Sequence, residues 1–112
     1  MPDLALRSYV DEHGHVPFEA WVLELDSQAQ AKVTIALSRF QRGNNSNVEG
    51  VGAGVSELKL NWGPGYRVYF GQDGSTIVIL LCGGTKKRQS RDIATAKLRW
   101  ADYKVRRSAR AR

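Results

Sequence analysis

The chain has one cysteine, two histidines and no apolar run long enough to cross a bilayer. A lone Cys82 forms no internal disulfide, so nothing points to an oxidising compartment. It lies in the apolar run TIVILLC and reads as a small buried hydrophobe rather than a catalytic thiol. His13 and His15 share one early turn and lack the Cys/His spacing of a metal site. No nucleophile stands in a tight-turn motif that would recruit them into a Ser-His-Asp or Cys-His site. The start MPDLALRSYVDEHGH has no basic segment followed by a long apolar block, so no signal peptide is expected, and a cytoplasmic location is. Gly50, Gly52 and Gly54 miss the GxGxxG spacing and follow no expected strand, which removes the support for a phosphate-cradling loop. Glu19, Glu24 and Asp26 fall on outer sides of helices, where solvated carboxylates are common, so a carboxylate pair for glycoside chemistry has no support either.

What is present is a balanced globular composition with an unbalanced charge. The length of 112 residues fits one domain, spanning 1–112, with 42% hydrophobic and 25% charged residues. The net charge is +6, but residues 1–85 carry six cations against nine acids, or −3. Residues 86–112 carry eleven cations against Asp92 and Asp102, or +9. A field of this kind steers polyanions or an acidic protein partner. The plain alternative is a solvated helix with a frayed basic tail from about 106.

Hydrophobic spacing predicts the elements. LALRSYV reads as a first strand, broken by Asp-Glu-His-Gly. Phe18, Trp21, Val22 and Leu25 recur at i, i+3, i+4, i+7, one helical face, with Pro17 suited to the first turn. Asp26 or Ser27 can cap a second helix striped by Ala29, Val33, Ala36, Leu37 and Phe40 and stopped at Gly43. GNNSNVEGVGAGV reads as a loop. In VSELKLNW, Ser56, Leu58 and Leu60 share one strand face and Val55, Glu57 and Lys59 the other. In YRVYF, Tyr66, Val68 and Phe70 oppose Arg67 and Tyr69. TIVILLC is apolar throughout, as in a central strand covered on both sides. Ile93, Ala96, Trp100 and Tyr103 give a last helix one packing face. The expected fold is α+β, in the order β-α-α-β-β-β-α. It has a small, mainly antiparallel sheet, an N-terminal helical hairpin and a C-terminal helix, with the helices gathered on one face.

The chemistry left open is basic. Pairing of the Arg67 strand with VSELKLNW would set Lys59 and Glu57 beside Arg67, although sequence does not settle the register. Beyond TIVILLC come Gly83, Gly84, Lys86, Lys87, Arg88 and Gln89, so Lys, Arg, Tyr and Gln side chains would converge on one face. Guanidinium groups grip phosphates, and tyrosine stacks on unpaired bases. RNA cleavage by its own 2′-hydroxyl needs a proton acceptor, charge stabilisation at phosphorus and a proton for the leaving 5′-oxygen. The plain alternatives are an Arg67–Glu57 cross-strand pair, a solvated Lys86–Arg88 loop and core packing for Tyr66.

GVSELKLNWGPGYRVYF, TIVILLCGGTKKRQSRDIATAKLRWADY and PFEAWVLEL strongly resemble the addiction-module killer proteins, phage-derived HigB-like toxins of the RelE/ParE superfamily, over about residues 5–105. The resemblance implies a RelE-like fold and the toxin of a type II toxin–antitoxin pair. Its antitoxin is typically a small helix-turn-helix protein that wraps or caps the toxin, and the pair represses its own operon. RelE-like members cut mRNA in the ribosomal A site without metal or cofactor. By motif position, Arg67 resembles the arginine that contacts the scissile phosphate, and Lys59 a strand lysine. Lys86, Lys87 and Gln89 fall where further substrate contacts lie. Glu57 stands where some members carry a second lysine, the C-terminal histidine of HigB enzymes has no counterpart, and Ile93 falls near the place of the RelE base tyrosine. Asp92 and Tyr69 are then the acid/base candidates. The expected site comprises Arg67, Lys59, Lys86, Asp92 and Tyr69 for catalysis, with Lys87, Arg88, Gln89, Arg91 and Tyr66 for RNA. The expected activity is a ribosome-dependent mRNA endonuclease; the alternative is a ParE-like gyrase inhibitor. Ribosome, mRNA and antitoxin are the expected partners, and no membrane is.

Overall fold

The computed structural model describes residues 3–110. Strand β1 (Ala5–Ser8) leads through a turn into helix α1 (Pro17–Glu24) and helix α2 (Ser27–Gln41). Pro17 sits in the first turn of α1, where its missing N–H costs nothing. The Asp26 side chain caps α2 by accepting a hydrogen bond from Ala29 N at 2.8 Å. Strands β2 (Val48–Gly52), β3 (Val55–Lys59), β4 (Tyr66–Asp73) and β5 (Ile77–Thr85) follow. A 3-10 turn, Lys86–Arg88, then opens into the long helix α3 (Gln89–Arg110).

The five strands form one sheet in the order β1-β5-β4-β3-β2. Only β1 and β5 run parallel; the other neighbours are antiparallel. The alternation read from the sequence places each strand face. Leu58, Leu60, Val68, Phe70, Val78 and Leu80 point to one side and pack on Phe18 of α1 and on Val33 and Phe40 of α2. Val55, Tyr69, Ile79 and Leu81 point to the other side and pack on Ala96 and Trp100 of α3.

Two expectations are corrected. The glycine- and asparagine-rich stretch is not all loop, because residues 48–52 pair with β3 as an added strand, giving β-α-α-β-β-β-β-α. Gly52 (φ 99°), Ala53 (φ 55°) and Gly54 (φ 81°) all take left-handed backbone, and these glycines let the chain reverse into a hairpin that low strand propensity concealed. The helices are not gathered on one face, since α3 covers the side opposite the hairpin. At the C-terminal end, helix α3 continues to Arg110. Two clusters hold it there. Tyr9 donates to Asp102 Oδ2 at 2.6 Å, and Arg106 pairs with the same carboxylate at 2.7 Å. Tyr103 donates to Asp73 Oδ2 at 2.6 Å, and Arg107 pairs with Asp73. Among the described residues, no helix is long and apolar enough to cross a membrane.

Candidate nucleic-acid interface

The sheet face beneath α3 carries the polar residues. Across β3 and β4, Glu57 stands opposite Tyr69 and Lys59 opposite Arg67. Across β4 and β5, Arg67 stands opposite Gly84 and Tyr69 opposite Cys82. Glu57 is 2% exposed and Arg67 8%. A carboxylate so deeply placed stays charged only with partners. Glu57 has three: Arg67 Nε at 3.6 Å, Lys59 Nζ at 3.7 Å and the Gln89 amide, which donates to both oxygens at 3.0 and 3.2 Å. The Arg67 contact is ionic but too long for a hydrogen bond, and Nε is left without an acceptor. The guanidinium instead donates through Nη1 to Gly65 O at 2.9 Å.

Each expected site residue now has a place. Lys59 lies at the rim and is held by Glu49 at 2.8 Å, which raises its pKa. Tyr69 is fully buried with no partner for its hydroxyl; burial first, then the charges of Glu57 and Asp92, push its pKa far above the usual range. Lys86, Lys87 and Arg88 are exposed on the 3-10 turn, and Arg91 is exposed one turn later. Gln89 is engaged by Glu57 and anchors the start of α3 to the sheet. Tyr66 lies on the opposite face, edge-on to Trp21 and stacked with Trp62, each at 6.0 Å between centroids. Asp92 sits against Gly84, where a Cβ would fall 1.9 Å from its Oδ2. That oxygen is buried and unpartnered, and burial raises the Asp92 pKa against the pull of Arg88, Arg91 and Arg99. Cys82 is buried, and its thiol is pushed up to about 11 by burial. It is therefore protonated at neutral pH.

The Lys86 side chain starts beside the Arg67 guanidinium. A Cβ on Gly65 would lie 3.3 Å from Lys86 Cβ and 3.4 Å from Arg67 Nη1. Asp92 approaches the same end of the sheet across Gly84, the strand partner of Arg67. This geometry groups Arg67, Lys86, Lys59 and Asp92 at one end of the α3-side face, and leaves Tyr66 on the other face.

Beside this group, sequence reasoning missed a cleft of about 510 Å³ walled by Trp21 of α1 and by Arg88, Arg91, Asp92 and Arg99. Gly83 and Gly84 form its floor. Two signals for it were available: the paired glycines, and the recurrence of Arg88, Asp92, Thr95 and Arg99 at spacings of 4, 3 and 4 along one helix face.

Fold and site together define a small α+β protein with a buried charge network under its last helix and exposed cations at that helix's start. The chain belongs to the family described as "Phage derived protein Gp49-like (DUF891)", which matches residues 20–102. It is also 42% identical over 82 residues to a protein of Haemophilus influenzae that carries the name "Uncharacterized protein", covering 72% of this chain and 83% of the relative.

Proposed function

We propose that this chain is the toxin of a type II toxin–antitoxin module and cleaves mRNA on the ribosome without a metal ion. The Gp49-like family is linked to toxin–antitoxin modules, which supports the class. The observation that carries the chemistry is Arg67 Nη1 at Gly65 beside the root of the exposed Lys86 side chain, with Asp92 across Gly84. Two cations there stabilise the charge that builds on a phosphate under attack. The 2′-oxygen attacks phosphorus and loses its proton, the bond to the 5′-oxygen breaks and that oxygen gains a proton. The products are a 2′,3′-cyclic phosphate and a free 5′-hydroxyl. Asp92, with its raised pKa, is the proton carrier in this scheme. Lys87, Arg88 and Arg91 hold flanking phosphates, and Lys59 and Tyr69 position Arg67. A small helix-turn-helix antitoxin is the proposed neutralising partner.

A second reading has its own observation. Arg67 is 8% exposed and faces Glu57, and Tyr69 is 0% exposed, so the exposed cations also suit a protein target such as gyrase. Primer extension on one defined mRNA, with and without programmed ribosomes, separates the two. Wild type is expected to cut only on ribosomes, and the exposed double variant Lys86→Ala/Arg88→Ala at least tenfold less. Absence of cuts in every lane, with inhibition of gyrase supercoiling, would replace the nuclease by the gyrase inhibitor. Arg67→Ala alone is a poor probe, because it strands the buried Glu57.

A further inference from the structure

We propose that the cleft at the open edge of β5 is a subsite for one unpaired ribonucleotide, its phosphate against Arg88 and Arg91 and its base against Trp21. This rests on the reading of the chain as an RNA-acting toxin and adds a place where the nucleotide beside the reacting phosphate is held.

The edge is open because β1 pairs with β5 only from Ile77 to Leu80. Beyond that point Cys82–Thr85 run without a strand neighbour on that side, between α1 and the start of α3. The resulting volume of about 510 Å³ lies within the range of small-ligand sites. Its depth depends on the two glycines. A Cβ on Gly83 would come within 2.2–2.4 Å of the six-membered ring of Trp21, and one on Gly84 within 1.9 Å of Asp92. The indole and the carboxylate therefore rest directly on strand backbone, one at each wall.

The wall chemistry selects the ligand. Arg88 and Arg91 are exposed, and among the described residues neither has a carboxylate within ion-pair distance. Two unpaired guanidinium groups three residues apart at a helix start are suited to a phosphate. Trp21 offers the aromatic surface that an unpaired base takes in single-strand recognition. Glu24, on α1 with Trp21, lines the same cleft, and its carboxylate suits the amino donors of a base rather than a second phosphate.

The test is a titration of the full chain with adenosine 5′-monophosphate, followed by amide and indole NMR, with inorganic phosphate and adenosine as separate arms. It uses no ribosome and reads no cleavage, so it stands apart from the activity reading. Shifts are expected at the Trp21 indole and at the Gly83 and Gly84 amides, with the nucleotide binding at least tenfold tighter than phosphate. Arg88→Ala/Arg91→Ala should weaken nucleotide binding at least tenfold while the rest of the spectrum stays folded. Equal affinity for phosphate and nucleotide would overturn the base contact. Shifts confined to Lys86 and Lys87, or none at Trp21, would overturn the subsite. Nucleotide binding as expected, with no mRNA cut in primer extension, would keep the subsite and remove the nuclease.

Discussion

The two faces of the sheet are built on different principles. Under α1 and α2 the contacts are apolar: Val68 and Val78 are 0% exposed, and Phe70 packs on Phe40 at 4.8 Å between centroids. Under α3 the apolar contacts around Trp100 stop short of the sheet's far end, where Glu57, Arg67, Tyr69, Gln89 and Asp92 gather. Among the described residues, the buried side-chain atoms without a hydrogen-bond partner are Arg67 Nε, Tyr69 Oη and Asp92 Oδ2, all on the second face. Buried polar groups in native proteins are nearly always paired, so three orphans on one face set it apart from the other.

The largest effects should break either face by a different route. Phe70→Ala opens a cavity in the apolar face and should cost about 3–5 kcal/mol in a urea melt. Glu57→Ala leaves Arg67 buried beside no carboxylate and should cost a similar amount, about 3–5 kcal/mol. The comparison sharpens with the double change Glu57→Leu/Arg67→Met. It should recover most of that loss, since an apolar pair needs no compensation for desolvation. A double variant as unstable as Glu57→Ala would mean that the network, and not its charge, holds α3 down.

Acid should produce a middle-sized effect, with opposite signs at the two ends of α3. Hydrogen bonds from Tyr103 to Asp73 and from Tyr9 to Asp102 lower both carboxyl pKa values. The stability they contribute is present above the unfolded carboxylate pKa, near 4, and is lost as pH falls through the lower folded values. Asp92 is raised by burial, so its contribution runs the other way: stability falls as pH rises from the unfolded pKa through the folded one. Amide protection factors at pH 3 should therefore fall in the last turns of α3 more than in its first. The contrast should vanish in Asp73→Asn/Asp102→Asn; uniform loosening along the helix in the wild type would contradict it.

The smallest effect is expected from Tyr69→Phe. Its hydroxyl is buried without a partner, so removing it gives up no hydrogen bond. Stability should stay within about 0.5 kcal/mol of wild type or rise slightly. A loss above about 1 kcal/mol would reveal a hydrogen bond to this hydroxyl in solution, through a bound water for example.

The apolar face was legible from spacing alone. Leu58, Leu60, Val68 and Phe70 alternate with period two, and Val33 and Phe40 recur at helical spacing, and all of them meet in one core. The same alternation put Glu57 with Lys59 on one face of β3 and Arg67 with Tyr69 on one face of β4, and the register then joins the two. It gave no sign of β2, because Gly50 and Gly52 weaken a strand signal while serving the turn that makes the hairpin. The stripe of Ala96 and Trp100 showed that α3 packs, but a stripe does not say on which side of a sheet. Arg106 and Arg107 looked like solvated tail charges because their aspartate, tyrosine and backbone partners include Asp73, Tyr9 and Val10, far away in the chain.

Sequence by itself determined which apolar faces are buried and where the charge accumulates, since apolar burial follows a local period and charge is a sum. Tertiary structure alone decided what the buried charges touch. The Gln89 amide reaches Glu57 across 32 residues of chain, and Arg67 reaches it across a strand pair. Such contacts depend on ångström distances set by sheet register and by the side on which α3 docks. No local pattern encodes either one, because each is settled only when separate elements bury their apolar faces together.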